Sequence, residues 1–333
     1  MVAGILERWR ADAWFQEAVG WIAEAVSSVG AVVTGSPRVV HVRFWSVVLE
    51  VSTDHGVMWF KECHPGQGFE PELLAVLADL EPRHFPRPIA VDELTHRMLL
   101  PDLGAGRSGG GGGDWSRTLV EMAEVQQRLS LHHGILAAAG LPSLLPEDAP
   151  SYVDSLARRL TALPPTHAQH LAGETADQIE SRLGHVGDWA GRLAASGVPS
   201  TFQHNDASPA NTFGPAASAP QWIDVGDAFW SHPFAVLQAP VSMLTGSWPW
   251  GPDWRDEHAR AIVDPYLAVW GDHASLDSMR ELLEPARCLG ILHRCESWRR
   301  LIDHDGELPD DRSLPNLGDH LLVATGVAAA DLR

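Results

Sequence analysis

The chain has 333 residues, 45% hydrophobic and 20% charged, enough apolar material for a sizeable core and the wrong balance for a disordered chain. Its 24 lysines and arginines stand against 43 acids, a formal net charge of −19, which argues against a nucleic-acid partner because phosphates would be repelled rather than neutralised. Three cysteines are too few for a disulfide framework and suggest a reducing cytosol, and no uncharged apolar run reaches the ~20 residues of a membrane helix. The opening "MVAGILERWR" carries charges where a signal peptide needs an apolar core, so a soluble, cytoplasmic protein is expected, of two domains or one domain with two lobes.

The amino-terminal segment sets Trp, Ile, Val and Ala at helical intervals among Glu and Arg, which predicts one or two amphipathic helices. Residues 38–63 read as two β-rich runs joined by a turn at "TDHG". "GFEPELLAVLADL" predicts a helix with Leu73, Leu74, Leu77 and Leu80 on one face, and "PRPIAVDELTHRMLLPDLG" two further short strands. Together these make a small α+β unit. In "GRSGGGGGDWS" no Lys-Ser or Lys-Thr follows the glycines and no strand leads in, so it reads as a flexible loop rather than a phosphate loop. Helical patterns follow over 115–133, 150–162, 174–195, 255–270 and 286–303, interrupted once by the polar stretch 203–230.

That stretch, "QHNDASPANTFGPAASAPQWIDVGDAFW", gathers His204, Asp206, Asn211, Asp224 and Asp227. A carboxylate, an amide oxygen and a second carboxylate are hard ligands, suited to Mg²⁺ rather than zinc. A carboxylate left off the metal can accept a proton from a hydroxyl, which is the set that phosphoryl transfer from ATP requires, with a lysine on the phosphates. Lysine is scarce in the chain, and Lys61 sits on a predicted strand ahead of a helix that offers Glu70 and Glu72 as its partner. The bland reading of Asp206 and Asn211 is ordinary loop chemistry; it leaves Asp224 and Lys61 without a task. Asp227 is open between a second metal contact and a helix cap. Cys288, His293 and Cys295 match no zinc spacing and read as packing positions.

"HNDASPAN" resembles the catalytic loop H-x-D-x-x-x-x-N of aminoglycoside phosphotransferases and their choline-kinase and fructosamine-kinase relatives, and "WIDVGDA" resembles their metal motif. "MLLPDLG" is similar to the interlobe hinge and "FEPELLAVL" to the helix that partners the lysine, so the likeness spans residues 40–240. It implies an α+β, bilobal protein-kinase-like fold, with a β-rich nucleotide-binding lobe over 1–102, leading helices included, and a mainly helical catalytic lobe over 103–333. The implied roles are Asp206 as base, Asn211 and Asp224 on Mg²⁺, and Lys61 with Glu70 on the ATP phosphates. Ser46 would lie at the nucleotide loop and the backbone of Leu100 to Asp102 at the adenine, while His204 braces the loop.

The sequence departs from the family pattern twice. Val236 stands where an Asp usually steadies the catalytic loop, and the nucleotide-covering segment "HVRFWS" has no glycine. Between 253 and 311 acids outnumber arginines two to one and lysine is absent, which fits a cationic acceptor such as an aminoglycoside, another amino-sugar or a choline-like amine; an acidic surface without a ligand gives the same count. Glu296 is the candidate ammonium contact. The expected activity is ATP-dependent phosphotransfer to a small-molecule hydroxyl. The rivals are an impaired nucleotide-binding relative that acts by interaction and a metal-dependent phosphoesterase.

Overall fold

The computed structural model describes residues 2–106, 112–215, 218–303, 308 and 310–326. Part of the glycine run read as a loop, at 107–111, lies outside them. Two leading helices, α1 (Val2–Arg10) and α2 (Asp12–Ser28), precede an antiparallel sheet of β1 (Arg38–Val42), β2 (Ser46–Thr53), β3 (Gly56–Cys63), β4 (Ala90–Asp92) and β5 (Arg97–Pro101) in the order β1-β2-β3-β5-β4. Helix α3 (Glu70–Leu80) lies between β3 and β4 in sequence. The run expected as one strand from 38 is two, because Arg43 N–H donates to the Ser46 carbonyl at 2.8 Å and turns the chain back.

Strand alternation gives the sheet two different faces. Val47, Leu49, Val51, Phe60 and Leu99 are fully buried against Trp14, Ala18 and Ile22 of the leading helices. Ser46, Val48, Trp59, Lys61, Met98 and Leu100 point the other way and line a cleft. Glu62, one residue past Lys61 and so on the helix side, is almost wholly buried. It accepts hydrogen bonds from Arg8, Trp9, Trp14 and Arg97 at 2.7–2.9 Å, an ion-paired rivet between helices and sheet.

The rest of the chain is mostly helical: α4 (Gly112–Leu129), α5 (His133–Ala138), α6 (Ala149–Thr161), α7 (Gly173–Ser181), α8 (Leu183–Ala194), α9 (Gln238–Thr245), α10 (Glu257–Val269), α11 (Leu276–Arg280), α12 (Leu283–Ile302) and α13 (Leu317–Ala324). Two small ribbons interrupt it, β6 (Thr201–Gln203) with β9 (Phe229–Ser231) and β7 (Thr212–Phe213) with β8 (Gln221–Trp222). The helix expected over 174–195 is broken at Arg182, with Ile179 and Val186 buried on either side of the break. Helix α12 is the hub: most of its length is buried, and it reaches from the helical core to the first turn after β3. The architecture is α+β, a small sheet lobe above a larger helical lobe. Among the described residues no helix is long and apolar enough to cross a membrane.

Candidate active site

Lys61 is the only lysine in the chain. β3 aims it into the cleft, where its ammonium donates to both oxygens of Glu70 (2.6 and 2.8 Å) and to Asp224 Oδ1 (2.5 Å). Burial alone would lower its pKa; the Asp224 and Glu70 carboxylates outweigh that and hold it well above the usual lysine value, so it stays charged. Burial pushes Asp224 up, but Lys61 wins and keeps that carboxyl below its ordinary range. Glu70, at the first turn of α3, is completely buried and lines the cleft, whereas Glu72 is not among its lining residues. A Cβ at Gly226 would come within 2.8 Å of Glu70 Oε2 and 2.9 Å of Gln67 Cδ, so a larger residue there would displace those side chains.

The loop after β6 carries the second half of the site. Asn205 (φ 60°) and Asp224 (φ 63°) both adopt left-handed backbone, a strained conformation that Asn and Asp tolerate best among non-glycine residues. Asp206 N–H donates to His204 Nδ1 (3.3 Å), so the ring proton is on Nε2, which donates to the Ile223 carbonyl (3.0 Å). His204 therefore ties the Asp206 loop to the strand end before Asp224, and burial keeps it neutral. Asn211 Nδ2 donates to the Asp206 carbonyl and to Asp206 Oδ2 (3.0 and 2.8 Å), which leaves Asn211 Oδ1 without a hydrogen bond among the described residues.

Arg294, in the middle of α12, was not expected. Its Nη2 donates to the Asn205 carbonyl (2.8 Å) and to Asp206 Oδ1 (3.1 Å), and its Nη1 to Asp227 Oδ2 (2.8 Å). Asp227 also accepts from Gln67 Nε2 and Ser297 Oγ at 2.7 and 2.6 Å. Held by three donors, Asp227 ties Gln67, Ser297 and Arg294 together beside the Asp206 loop. Beside it, Gln203 donates to His293 Nδ1 (2.6 Å) and accepts from Asn205 N–H. Val236 is buried in the apolar core; the loop is held from α12, by Arg294 directly and by His293 through Gln203. Burial pushes the Asp206 carboxyl up to about 6, against the opposing pull of Arg294.

The cleft between these halves is a cavity of about 470 Å³. Val48, Met98, Leu100, Phe213 and Ile223 give it apolar walls; Lys61, Asn211 and Asp224 form its polar end. Ser46 and Asp102 also line it, and Asp102 Oδ1 accepts from Trp59 Nε1 at 3.1 Å. Glu296 is not brought to this cleft. It opens onto a separate cavity with Tyr152 and Arg159, and both its oxygens are taken by Arg299 (2.6 and 2.7 Å). A divalent cation fits the polar end: Asp224 and Asn211 each keep one oxygen free. Among the described residues no group of three or more His, Cys, Asp or Glu is placed to hold a metal ion by itself.

Solved structures share this arrangement of lobes. An ethanolamine kinase of Plasmodium vivax superposes at TM-score 0.58 and 10% identity, over 87% of this chain and 80% of that one. The choline kinase LicA of Streptococcus pneumoniae gives 0.56 at 14%, covering 94% and 100%, and the macrolide 2′-phosphotransferase MphH of Brachybacterium faecium 0.53 at 16%, covering 87% and 100%. The fold is protein-kinase-like. No family model and no curated protein matches the sequence, and at these identities the likeness speaks for the fold alone.

Nothing local in the sequence marks Gln203 or the cleft-facing His41 and Arg43 as parts of the site. One signal for Arg294 was present: it shares the α12 stripe with Ile291, Cys295 and Trp298, and an arginine on an apolar stripe needs a buried partner.

Proposed function

We propose that the protein transfers the γ-phosphate of MgATP to a hydroxyl group of a small molecule. The observation that carries this reading is the single constellation across the cleft: Lys61 bonded to Glu70 and Asp224, with Asp206 and Asn211 bonded to each other at the same polar end. The apolar walls suit a purine and the hinge backbone from Leu100 to Asp102 its edge. When bound, Mg²⁺ would offset charge on the β- and γ-phosphates from Asn211 and Asp224. On nucleotide entry the Lys61 ammonium would pass from Asp224 to the phosphates while Glu70 keeps its hold on the same ammonium. Asp206, fixed by Arg294 and Asn211, would orient the acceptor hydroxyl and take its proton.

The acceptor class proposed is a hydroxylated amine. In support, the chain is strongly acidic overall, and the proteins of the same fold named above include an ethanolamine kinase and a choline kinase. The test is ³¹P NMR of MgATP incubated with amino-alcohols, aminoglycosides and macrolides. A phosphomonoester resonance should grow with one class for the wild type and fall by at least about 100-fold in Asp206→Asn, the scale of a lost general base, while nucleotide binding persists. Turnover that survives Asp206→Asn removes this mechanism. Nucleotide binding without turnover of any acceptor favours the interaction reading instead.

A further inference from the structure

The segment over the polar end of the cleft lacks glycine, so it cannot wrap phosphates with closely approaching backbone. We infer that Arg43 replaces that backbone cradle with a side chain, gripping the triphosphate of the bound nucleotide from the β1–β2 turn. This rests on the nucleotide reading above and adds a residue to it.

Register puts Arg43 on the right face. Arg38 pairs with Glu50 and Val39 with Leu49; then one extra residue intervenes, and His41 pairs with Val48 and Val42 with Val47. Val48 pairs in turn with Lys61 across β3. His41, Val48 and Lys61 thus form one row on the cleft face, and Arg43, two residues beyond His41, points the same way. Without the bulge at Val40, His41 and Arg43 would face the leading helices, because a one-residue slip reverses every side chain. By ordinary strand spacing the Arg43 and Lys61 Cα atoms are roughly 12 Å apart, a gap suited to a triphosphate held between two long cationic side chains.

The turn is held in place. Phe44 and Trp45 rest on Trp298 of α12, with ring centroids 5.7 and 6.0 Å away, and the Trp45 carbonyl accepts from His64 N–H at 2.8 Å. The tip is therefore docked on the helical lobe, and Arg43 is presented by a fixed frame. Arg43 lines the cavity, is exposed, and its guanidinium has no hydrogen bond or ion pair among the described residues, whereas the Lys61 ammonium is fully engaged. Its charge is felt inside the cleft: after burial, Arg43 and then Lys61 pull His41 below its ordinary pKa. A planar guanidinium with paired donors is the side chain best matched to phosphate oxygens.

Calorimetry on the full chain with Mg²⁺ and adenylyl imidodiphosphate, ADP or adenosine separates the possibilities. Arg43→Ala should weaken the triphosphate analogue on the order of 10- to 100-fold, the loss expected for charge-assisted hydrogen bonds. ADP should lose less, adenosine should be unaffected, and Arg43→Lys should recover part of the loss. Because Arg43 is exposed and unpaired, the melting temperature of Arg43→Ala should equal that of the wild type. Analogue binding by Arg43→Ala within twofold of wild type overturns the clamp and leaves the nucleotide reading standing, as does an equal loss for adenosine. A wild type that binds no analogue overturns both.

Discussion

Arg294 holds the Asp206 loop through the Asn205 carbonyl, contacts the Asp206 carboxylate, and is itself held by Asp227. Burial raises Asp206 to about 6 and Arg294 resists that rise, so the sign of removing Arg294 follows. The carboxyl of Arg294→Met climbs further, Asp206 is protonated at neutral pH, and the acidic limb of the kcat/KM profile moves up from about 6 by about one unit or more. Activity at pH 6.5 should fall about threefold or more and recover towards pH 8.5. Deleting one partner of a buried charge pair costs ~3–5 kcal/mol, so Arg294→Lys, which keeps the charge, is the folded control and should lie between. Carboxyl ¹³C titration of Asp206 reads the same shift without an acceptor; an unmoved titration contradicts the role. At this scale the sequence was legible where chemistry and spacing agree, as for Lys61, Glu70, Asp206, Asn211 and Asp224. The apolar stripe around Arg294 says that it needs a buried partner but not which one, because that partner, Asp206, lies 88 residues away in sequence. Glu296 was chosen from the same helix, but α12 turns it towards Arg299 and another cavity.

At the scale of elements, α12 sets the geometry of the cleft. Its carboxy-terminal half bears Arg294, Ser297 and Trp298, which reach the Asp206 loop, Asp227 and the β1–β2 turn. The short 3-10 turn Pro65–Gln67 packs on the same end so closely that a Cβ at Gly66 would strike the Arg300 backbone carbonyl. Backbone cannot yield as a flexible side chain can, so Gly66→Ala should cost ~1–3 kcal/mol. The melting temperature should fall by several degrees, and nucleotide affinity should fall with it as the turn shifts Gln67 off Asp227. An unchanged melting temperature would show that the contact is slack. Strands and long helices were readable because their apolar periodicity is strong. The break at Arg43–Ser46 was not, since Phe44 and Trp45 look like strand residues and become a turn only by docking on Trp298. The short helices α5, α9, α11 and α13 carry too few turns to display a period.

Over the whole molecule, the sheet separates two environments by alternation. Glu62 fixes one face to the leading helices, and Lys61, its neighbour, serves the cleft on the other. A fold with this division was legible because the motifs fall in order along most of the chain, whereas the acceptor was not, since charge balance alone does not shape a cavity. The central claim is that Lys61 and the Asp206, Asn211 and Asp224 side chains surround one triphosphate. As the only lysine, Lys61 gives a single side-chain signal in protein labelled at lysine ¹³Cε. On addition of MgATP that signal should shift and saturate with the binding curve, as the ammonium leaves Asp224 for phosphate; a signal that stays put while nucleotide saturates the protein would contradict the account.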